Sequence, residues 1–166
     1  MMKVKLIFFI LLTMSLGFHV PSDAFAADTW TAATTTNVGT THMTSVSMSD
    51  ASNGVAVGYS GQIVFTTNGG VDWTDATTTN VGVTQMNEVS MGDASNGVAV
   101  GQSGQIVFTT NGGVDWTDAT TTNVGANNMY GVSMGDASNG VAVGYSGQIV
   151  FTTNGGVDWT DATTTN

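Results

Sequence analysis

The sequence predicts an all-β fold built from one repeated unit of four short antiparallel strands. Three observations carry this prediction: a period of 43 residues, strand-forming residue types in each period, and turn residues at fixed offsets. The period is marked by four tryptophans, Trp30, Trp73, Trp116 and Trp159. Three full units follow one another, so a single supersecondary module is used repeatedly.

The middle unit shows the four predicted strands. Met86–Met91 is a short strand candidate. Gly97–Gly101 and residues 106–108 are apolar on both faces, as expected for strands that lie between layers. Ser103-Gly104 between them predicts a tight hairpin. Residues 116–122 are rich in threonine and more polar, which is typical of an outer strand.

Four short antiparallel strands in about 40 residues match the size of one propeller blade. We therefore expect a β-propeller-type domain over residues 27–166, with blades at 43–79, 86–122 and 129–165. Residues 29–36 repeat the outer strand without three strands before it, which predicts an orphan strand. Propellers typically close with about four to eight blades, so we expect a homo-oligomer, such as a two-chain ring of six blades, or a fragment of a longer propeller. A parallel β-helix is the alternative fold, although its coils usually lack tight hairpins.

Residues 1–26 predict a signal peptide. Lys3 and Lys5 give a basic start, residues 6–16 form an apolar run, and Ala24-Phe25-Ala26 fits a cleavage site. The apolar run is short for a membrane span, which needs about 20 residues. We therefore expect export to the periplasm or the extracellular space, with no membrane insertion of the mature chain.

The charge balance excludes two classes of partner. Lys3 and Lys5 are the only basic residues of the chain, so the part from Ala27 onward has no lysine and no arginine. That part carries eleven carboxylates, since Asp23 precedes it. A surface without cations cannot neutralise phosphates, which argues against nucleic acid and against anionic membrane surfaces as partners.

One turn motif recurs in every unit. Residues 66–73 read Thr-Thr-Asn-Gly-Gly-Val-Asp-Trp, and the same eight residues recur at 109–116 and 152–159. This motif resembles the Asp-box (BNR) of sialidase-type propellers, Ser/Thr-x-Asp-x-Gly-x-x-Trp, with asparagine at the Asp position. Residues 56–63 are similar to repeats of photosystem II assembly-factor-like propellers. The resemblance implies a structural role for the motif positions Thr66, Asn68, Gly70, Trp73, Thr109, Asn111, Gly113, Trp116, Thr152, Asn154, Gly156 and Trp159.

The residue inventory argues against catalysis. Sialidases of the Asp-box family bind a substrate carboxylate with an arginine cluster, and residues 27–166 contain no arginine. A serine triad needs a histidine base, and His42 is the only histidine in that range. Glu88 is the only glutamate. We therefore expect no enzyme activity and no cofactor. Calcium held by turn residues such as Asp72 and Asp75 is an alternative that no specific motif indicates.

Differences between the units indicate a binding face. They concentrate at residues 40–45, 83–88 and 126–131 and at positions 59, 102 and 145. In a four-stranded meander the inter-blade connection and the hairpin between the second and third strands emerge at one edge, and loops on a rigid scaffold commonly bind partners. The predicted ligand-binding residues are His42, Tyr59, Gln85, Asn87, Asn127, Asn128, Tyr130 and Tyr145. Neutral variation of exposed loops is the competing explanation.

Three functions are consistent with these features. The first is a secreted, non-catalytic scaffold that binds a protein or a glycan through the inter-blade loops. The second, implied by the resemblance, is an assembly factor for a membrane complex such as photosystem II. The resemblance implies that members of that family contact their partner through a basic surface. From Ala27 onward this chain has no lysine or arginine to form one, which argues against a direct transfer of that function. The third is a self-associating structural protein of an envelope or matrix.

Overall fold

The computed structural model describes residues 32–34, 38, 41–79, 81–82, 84–122 and 124–162. All of them belong to one unit, Ala32–Asn166. The predicted signal peptide and Trp30 lie outside the described residues. Within those residues, no helix has the length and apolar character needed to cross a membrane.

The described residues form three copies of one strand pattern. The strands of the first copy are β1 (Met43–Met48), β2 (Gly54–Gly58), β3 (Ile63–Thr66), β4 (Thr74–Asp75) and β5 (Thr77–Thr78). Those of the second are β6 (Met86–Met91), β7 (Gly97–Gly101), β8 (Ile106–Thr109), β9 (Asp115–Asp118) and β10 (Thr120–Thr121). Those of the third are β11 (Met129–Met134), β12 (Gly140–Gly144), β13 (Ile149–Thr152) and β14 (Asp158–Asp161).

Each copy folds as an antiparallel meander of four strands. The hydrogen-bonded orders are β1-β2-β3-β4, β6-β7-β8-β9 and β11-β12-β13-β14. These are the blades, numbered one to three along the chain. The predicted all-β fold with four-stranded antiparallel blades is confirmed.

In blades one and two, the end of the outer strand leaves its own blade and pairs with the next one. β5 runs parallel to β9, with Thr77 opposite Asp115, and β10 runs parallel to β14 in the same way. Of the predicted orphan strand 29–36, only residues 32–34 are described, and Thr34 makes the equivalent parallel bridge to Asp72. The backbone N–H of Thr34 donates to the Val71 carbonyl at 2.8 Å. The segment was expected to have no preceding strands to pair with, and at Thr34 it pairs forward, with blade one.

The core lies between blades, because the second and third strands carry apolar residues on both faces. All five residues of β7 are buried. Since side chains alternate along a strand, Val98 and Val100 point to one face and Ala99 to the other. Val98 and Val100 pack in a cluster with Met129 of blade three, whereas Ala99 packs in a cluster with residues of blade one.

Glycines at the ends of each second strand make room for methionine. A Cβ on Gly97 would lie 2.3 Å from the Met91 sulfur, and one on Gly101 would lie 3.1 Å from the Met86 sulfur. The same pairs recur in the other two blades. The flexible thioether thus fills the space above a glycine, which explains why methionine and glycine repeat together.

Candidate binding face

The segments that differ between repeats meet at one edge of each blade. The Tyr59 backbone N–H donates to the His42 carbonyl at 2.9 Å, which joins the turn after β2 to the residue before β1. The same bond joins Gln102 to Gln85 and Tyr145 to Asn128. We call this side the variable edge: residues 41–45, 84–88 and 126–131 and the turn residues Tyr59, Gln102 and Tyr145. The shared edge expected from the strand order is present.

A tight turn presents one variable side chain per blade. In blade two, Ser103 has φ 57° and Gly104 has φ 76°. The Gln105 N–H donates to the Gln102 carbonyl at 3.1 Å and closes the turn. Two successive positive φ angles define a type I′ turn, whose twist matches that of antiparallel strands. The residue before this pair, at positions 59, 102 and 145, therefore lies where the strand ends.

The aromatic residues of the predicted face are exposed. Tyr59 and Tyr145 are 46% and 61% exposed in their turns, and Tyr130 is 52% exposed on β11. His42 is also exposed, and its ring centre lies 5.5 Å from that of Tyr59 at an interplanar angle of 43°. These rings offer apolar area together with a polar tip, a combination that suits contact with a polypeptide or a sugar.

The amides of the predicted face bond to neighbouring blades. Asn87 Nδ2 donates to the Met129 carbonyl at 2.6 Å, and Asn128 Oδ1 accepts from the Ser103 backbone N–H at 3.0 Å. Gln85 Nε2 also donates to Asn87 Oδ1 at 2.9 Å. These side chains are half-buried, and Asn87 and Asn128 each link one blade to the next. Their contacts give them a structural role, whereas their role in ligand binding stays a prediction.

Asn127 and Tyr130 lie on the third blade. Asn127 Nδ2 donates to Gln148 Oε1 at 3.0 Å. Tyr130 occupies the position that Asn87 holds in blade two and Thr44 in blade one. Thr44 Oγ1 donates to the Met86 carbonyl of the next blade at 2.7 Å. Tyr130 therefore lies at a position that faces a following blade in the other two repeats.

The opposite edge carries the Asp-box turns. In blade two, the Thr109 hydroxyl donates to Asn111 Oδ1 at 3.0 Å and accepts from the Gly113 N–H at 3.1 Å. Asn111 Oδ1 also accepts from the Asp115 N–H at 2.9 Å. The Trp116 indole N–H donates to the Gly113 carbonyl at 2.9 Å. All three boxes repeat these bonds, which gives the motif the structural role that the resemblance implies.

The structure explains asparagine at the Asp position of the box. Asn111 Nδ2 donates to Asp115 Oδ2 at 2.8 Å, and the same bond links Asn68 to Asp72 and Asn154 to Asp158. An aspartate at position 111 would place two carboxylates at this distance without a donor between them. The neutral amide is therefore matched to the acidic residue four positions later.

We expect Asn111→Asp to lower the free energy of unfolding by about 1 kcal/mol, because a hydrogen bond to a charged group is replaced by like-charge repulsion at an exposed site. The double variant Asn111→Asp/Asp115→Asn exchanges donor and acceptor and should recover most of this loss. Urea denaturation of both proteins measures the effect. A double variant no more stable than the single one would contradict the assignment.

A second acidic turn lies beside each Asp-box. Asp93 Oδ1 accepts from the Ser95 and Asn96 N–H groups at 2.7 and 2.6 Å. The Asn96 N–H, followed by that of Ser95, lowers the pKa of Asp93. For Asp50 and Asp136 the side-chain amide three residues later is the largest cause of a lowered pKa. A lowered pKa means that the ionised form stabilises these turns, and this contribution is lost as the pH falls through the folded-state value.

Asp75, Asp118 and Asp161 each accept a hydrogen bond from a glutamine side chain. Gln62 Nε2 donates to Asp75 Oδ1 at 2.8 Å, and Gln105 donates to Asp118 in the same way at 2.6 Å. In the described part of the chain, no three side chains of histidine, aspartate or glutamate come together as metal ligands would. This role of the glutamine was not predicted from the sequence, although the residue recurs at the same offset in all three units.

An open pocket of about 310 Å³ lies at the variable edge of blade three. Its lining includes Asn127, Tyr145, Gln148, Ile149 and Asp161. Ile149 is 39% exposed there, whereas its counterparts Ile63 and Ile106 are each 2% exposed. The corresponding space in the first two blades is occupied by the following inter-blade segment, since Gly82 lies against Gly61 and Gly125 against Gly104.

Strand order, type I′ hairpins and three hydrogen-bonded Asp-box turns define this chain as a BNR-type β-propeller protein. A family model described as "Photosynthesis system II assembly factor YCF48" matches residues 23–166. The chain belongs to that family. No curated protein matches the sequence.

Solved structures show the same fold at low sequence identity. YCF48 bound to D1 peptide is 22% identical with a TM-score of 0.65, over 74% of this chain and 41% of that one. YCF48 from Cyanidioschyzon merolae is 20% identical with a TM-score of 0.64, over 73% of this chain and 39% of that one. The GH74 enzyme of Niastella koreensis is 22% identical with a TM-score of 0.55, over 72% of this chain and 18% of that one. The chain thus spans about two fifths of the two YCF48 proteins.

Proposed function

We propose that this chain is a non-catalytic scaffold of the photosystem II assembly-factor type and that it binds a polypeptide at its variable edge. The observation that carries the proposal is the family match over residues 23–166. One structure with the same fold is that of YCF48 bound to D1 peptide, which supports a protein partner. The exposed rings of Tyr59 and Tyr145 supply the contact area.

The charge of the chain indicates the kind of polypeptide. From Ala27 onward the chain has eleven carboxylates and no basic residue. An acidic surface attracts a partner of opposite charge and speeds its association at low salt. We therefore propose that the bound segment carries lysine or arginine beside the residues that contact the tyrosines. Export of the chain, proposed from residues 1–26, would place this contact outside the cytoplasm.

Binding of a D1 peptide to the purified chain tests the proposal. We expect Tyr59→Ala and Tyr145→Ala together to weaken binding at least tenfold, because exposed aromatic anchors dominate such contacts. We also expect raised salt to weaken binding. Isothermal titration calorimetry measures both effects.

Val114→Ala is the matched control, because Val114 is an exposed apolar residue in the Asp-box turn on the opposite edge. It should bind the peptide like the parent chain. Absence of D1 peptide binding by the parent chain would overturn the proposed partner. Equal binding by the tyrosine double variant would overturn the proposed site.

A further inference from the structure

Blade three exposes an apolar face that is buried in the blades before it. We call this the tail face: Val141 and Val143 on β12 and Ile149 and Phe151 on β13. Val141 and Val143 are 46% and 44% exposed. Their counterparts in blade two, Val98 and Val100, are fully buried against blade three.

Blade one exposes the complementary surface. We call this the head face: Met43, Val46 and Met48 on β1. Val46 is 60% exposed, whereas its counterpart Val89 is 4% exposed. Met43 is exposed as well, and its counterpart Met86 is fully buried. The residue types are the same in each case, so the difference in exposure comes from position in the array, because the described residues place no blade in front of blade one.

The two interfaces inside the chain show that a tail face fits a head face. A Cβ on Gly113 of blade two would lie 2.4 Å from Val55 of blade one, so these surfaces are in close contact. Gly156 of blade three meets Val98 at the same distance. Gly70, the equivalent residue of blade one, has its own Trp73 ring as its nearest neighbour, at 3.7 Å. Val141 is the blade-three equivalent of Val55 and Val98. The surface beside Gly70 on which it would pack is therefore open on blade one.

Hydrogen bonds repeat across the same two interfaces. Ser47 Oγ accepts from the Met91 N–H at 3.0 Å, and Ser90 Oγ accepts from the Met134 N–H at 3.0 Å. The serine equivalent to Ser47 and Ser90 in blade three is Ser133, and the methionine equivalent to Met91 and Met134 in blade one is Met48. Both a donor and an acceptor are thus in place for a third interface of the same design.

We propose that the tail face of one copy of this chain docks on the head face of a second copy. This contact continues an interface that the chain already forms twice with nearly identical residues. In blades one and two, the space equivalent to the pocket beside Ile149 holds an inter-blade segment, with Gly82 next to Gly61 and Gly125 next to Gly104. In the proposed contact, an inter-blade segment of the second copy fills this pocket. The proposal is independent of peptide binding at the variable edge.

A head-to-tail contact is heterologous, so it produces either a closed ring or an open chain of copies. Two copies contribute six blades, which lies within the range of about four to eight that closes a propeller. We therefore expect a closed dimer. Because each copy carries a net charge of −10 and the contact is apolar, salt should strengthen the association by screening repulsion.

Light scattering of two interface variants tests the contact. Val46→Asp removes the head face and Val143→Asp removes the tail face, each at a residue that is exposed within the single chain. We expect the parent chain to have the mass of a dimer and each variant alone that of a monomer. An equal mixture of the two variants retains one intact head and one intact tail, so it should form a one-to-one heterodimer.

Thr117→Asp is the control, since it adds the same charge at an exposed position of the outer strand in blade two. It should remain a dimer, and circular dichroism should show all three variants folded. A monomeric parent chain at high protein concentration would overturn the proposal. Retained dimers in either single variant, or no pairing in the mixture, would also overturn it.

Discussion

Replacing Trp116 with alanine is expected to lower the free energy of unfolding by about 3 kcal/mol or more, the usual loss for a well-packed tryptophan. The Trp116 ring is 1% exposed and belongs to the cluster between blades one and two. Its indole N–H bonds to the Gly113 carbonyl at 2.9 Å, so the substitution removes both packing and a turn contact.

Trp73→Ala is the matched comparison. Trp73 has the same local bond, to the Gly70 carbonyl at 3.1 Å, but it is half-buried. We expect a loss of about 1–2 kcal/mol, because less apolar area leaves water on folding. Both variants should be measured by urea denaturation in the Val143→Asp background, so that a second copy cannot cover Trp73. Equal losses at the two positions would show that the neighbouring blade contributes little.

The tryptophans show what the sequence could predict and what it could not. Trp116 and Trp159 are each 1% exposed. Trp73 is only partly buried, because the described residues place no blade in front of blade one. Identical repeats carry identical sequence signals, so position within the array changes burial without any change in the residues.

Strand order and turn type were predictable because local chemistry determines them. The two-faced strand Gly97–Gly101 and the Ser103-Gly104 turn follow from residue type alone. The parallel pairing of β5 with β9 was not predictable, because a short threonine-rich strand has the same residue pattern whether it pairs with its own blade or with the next one.

The candidate site was predictable to the level of an edge. Variation between repeats located the turn residues and the segments before each first strand, and the backbone bonds join them. The sequence did not show which of these side chains are exposed and which bond to a neighbouring blade. Asn87 and Asn128 are amides in variable loops, yet each bonds to a neighbouring blade, which depends on contacts 42 and 25 residues away.

The glycines of the hairpins give the second large expected effect. Gly104→Ala should lower the free energy of unfolding by about 2–5 kcal/mol, from two sources. A side chain at φ 76° is strained, which costs about 1–2 kcal/mol. The added Cβ would also lie 2.0 Å from the Gly125 carbonyl oxygen, so the inter-blade backbone must shift, and such overpacking costs about 1–3 kcal/mol.

Gly147→Ala isolates the first source. Gly147 has φ 74°, and a Cβ there would meet nothing within 4 Å. In the monomeric Val143→Asp background we expect a loss of about 1–2 kcal/mol, from backbone strain alone. Thermal unfolding of both variants gives the comparison. If Gly104→Ala costs no more than Gly147→Ala, then the inter-blade segment yields without loss, and the close contact between hairpin and segment does not hold the blades together.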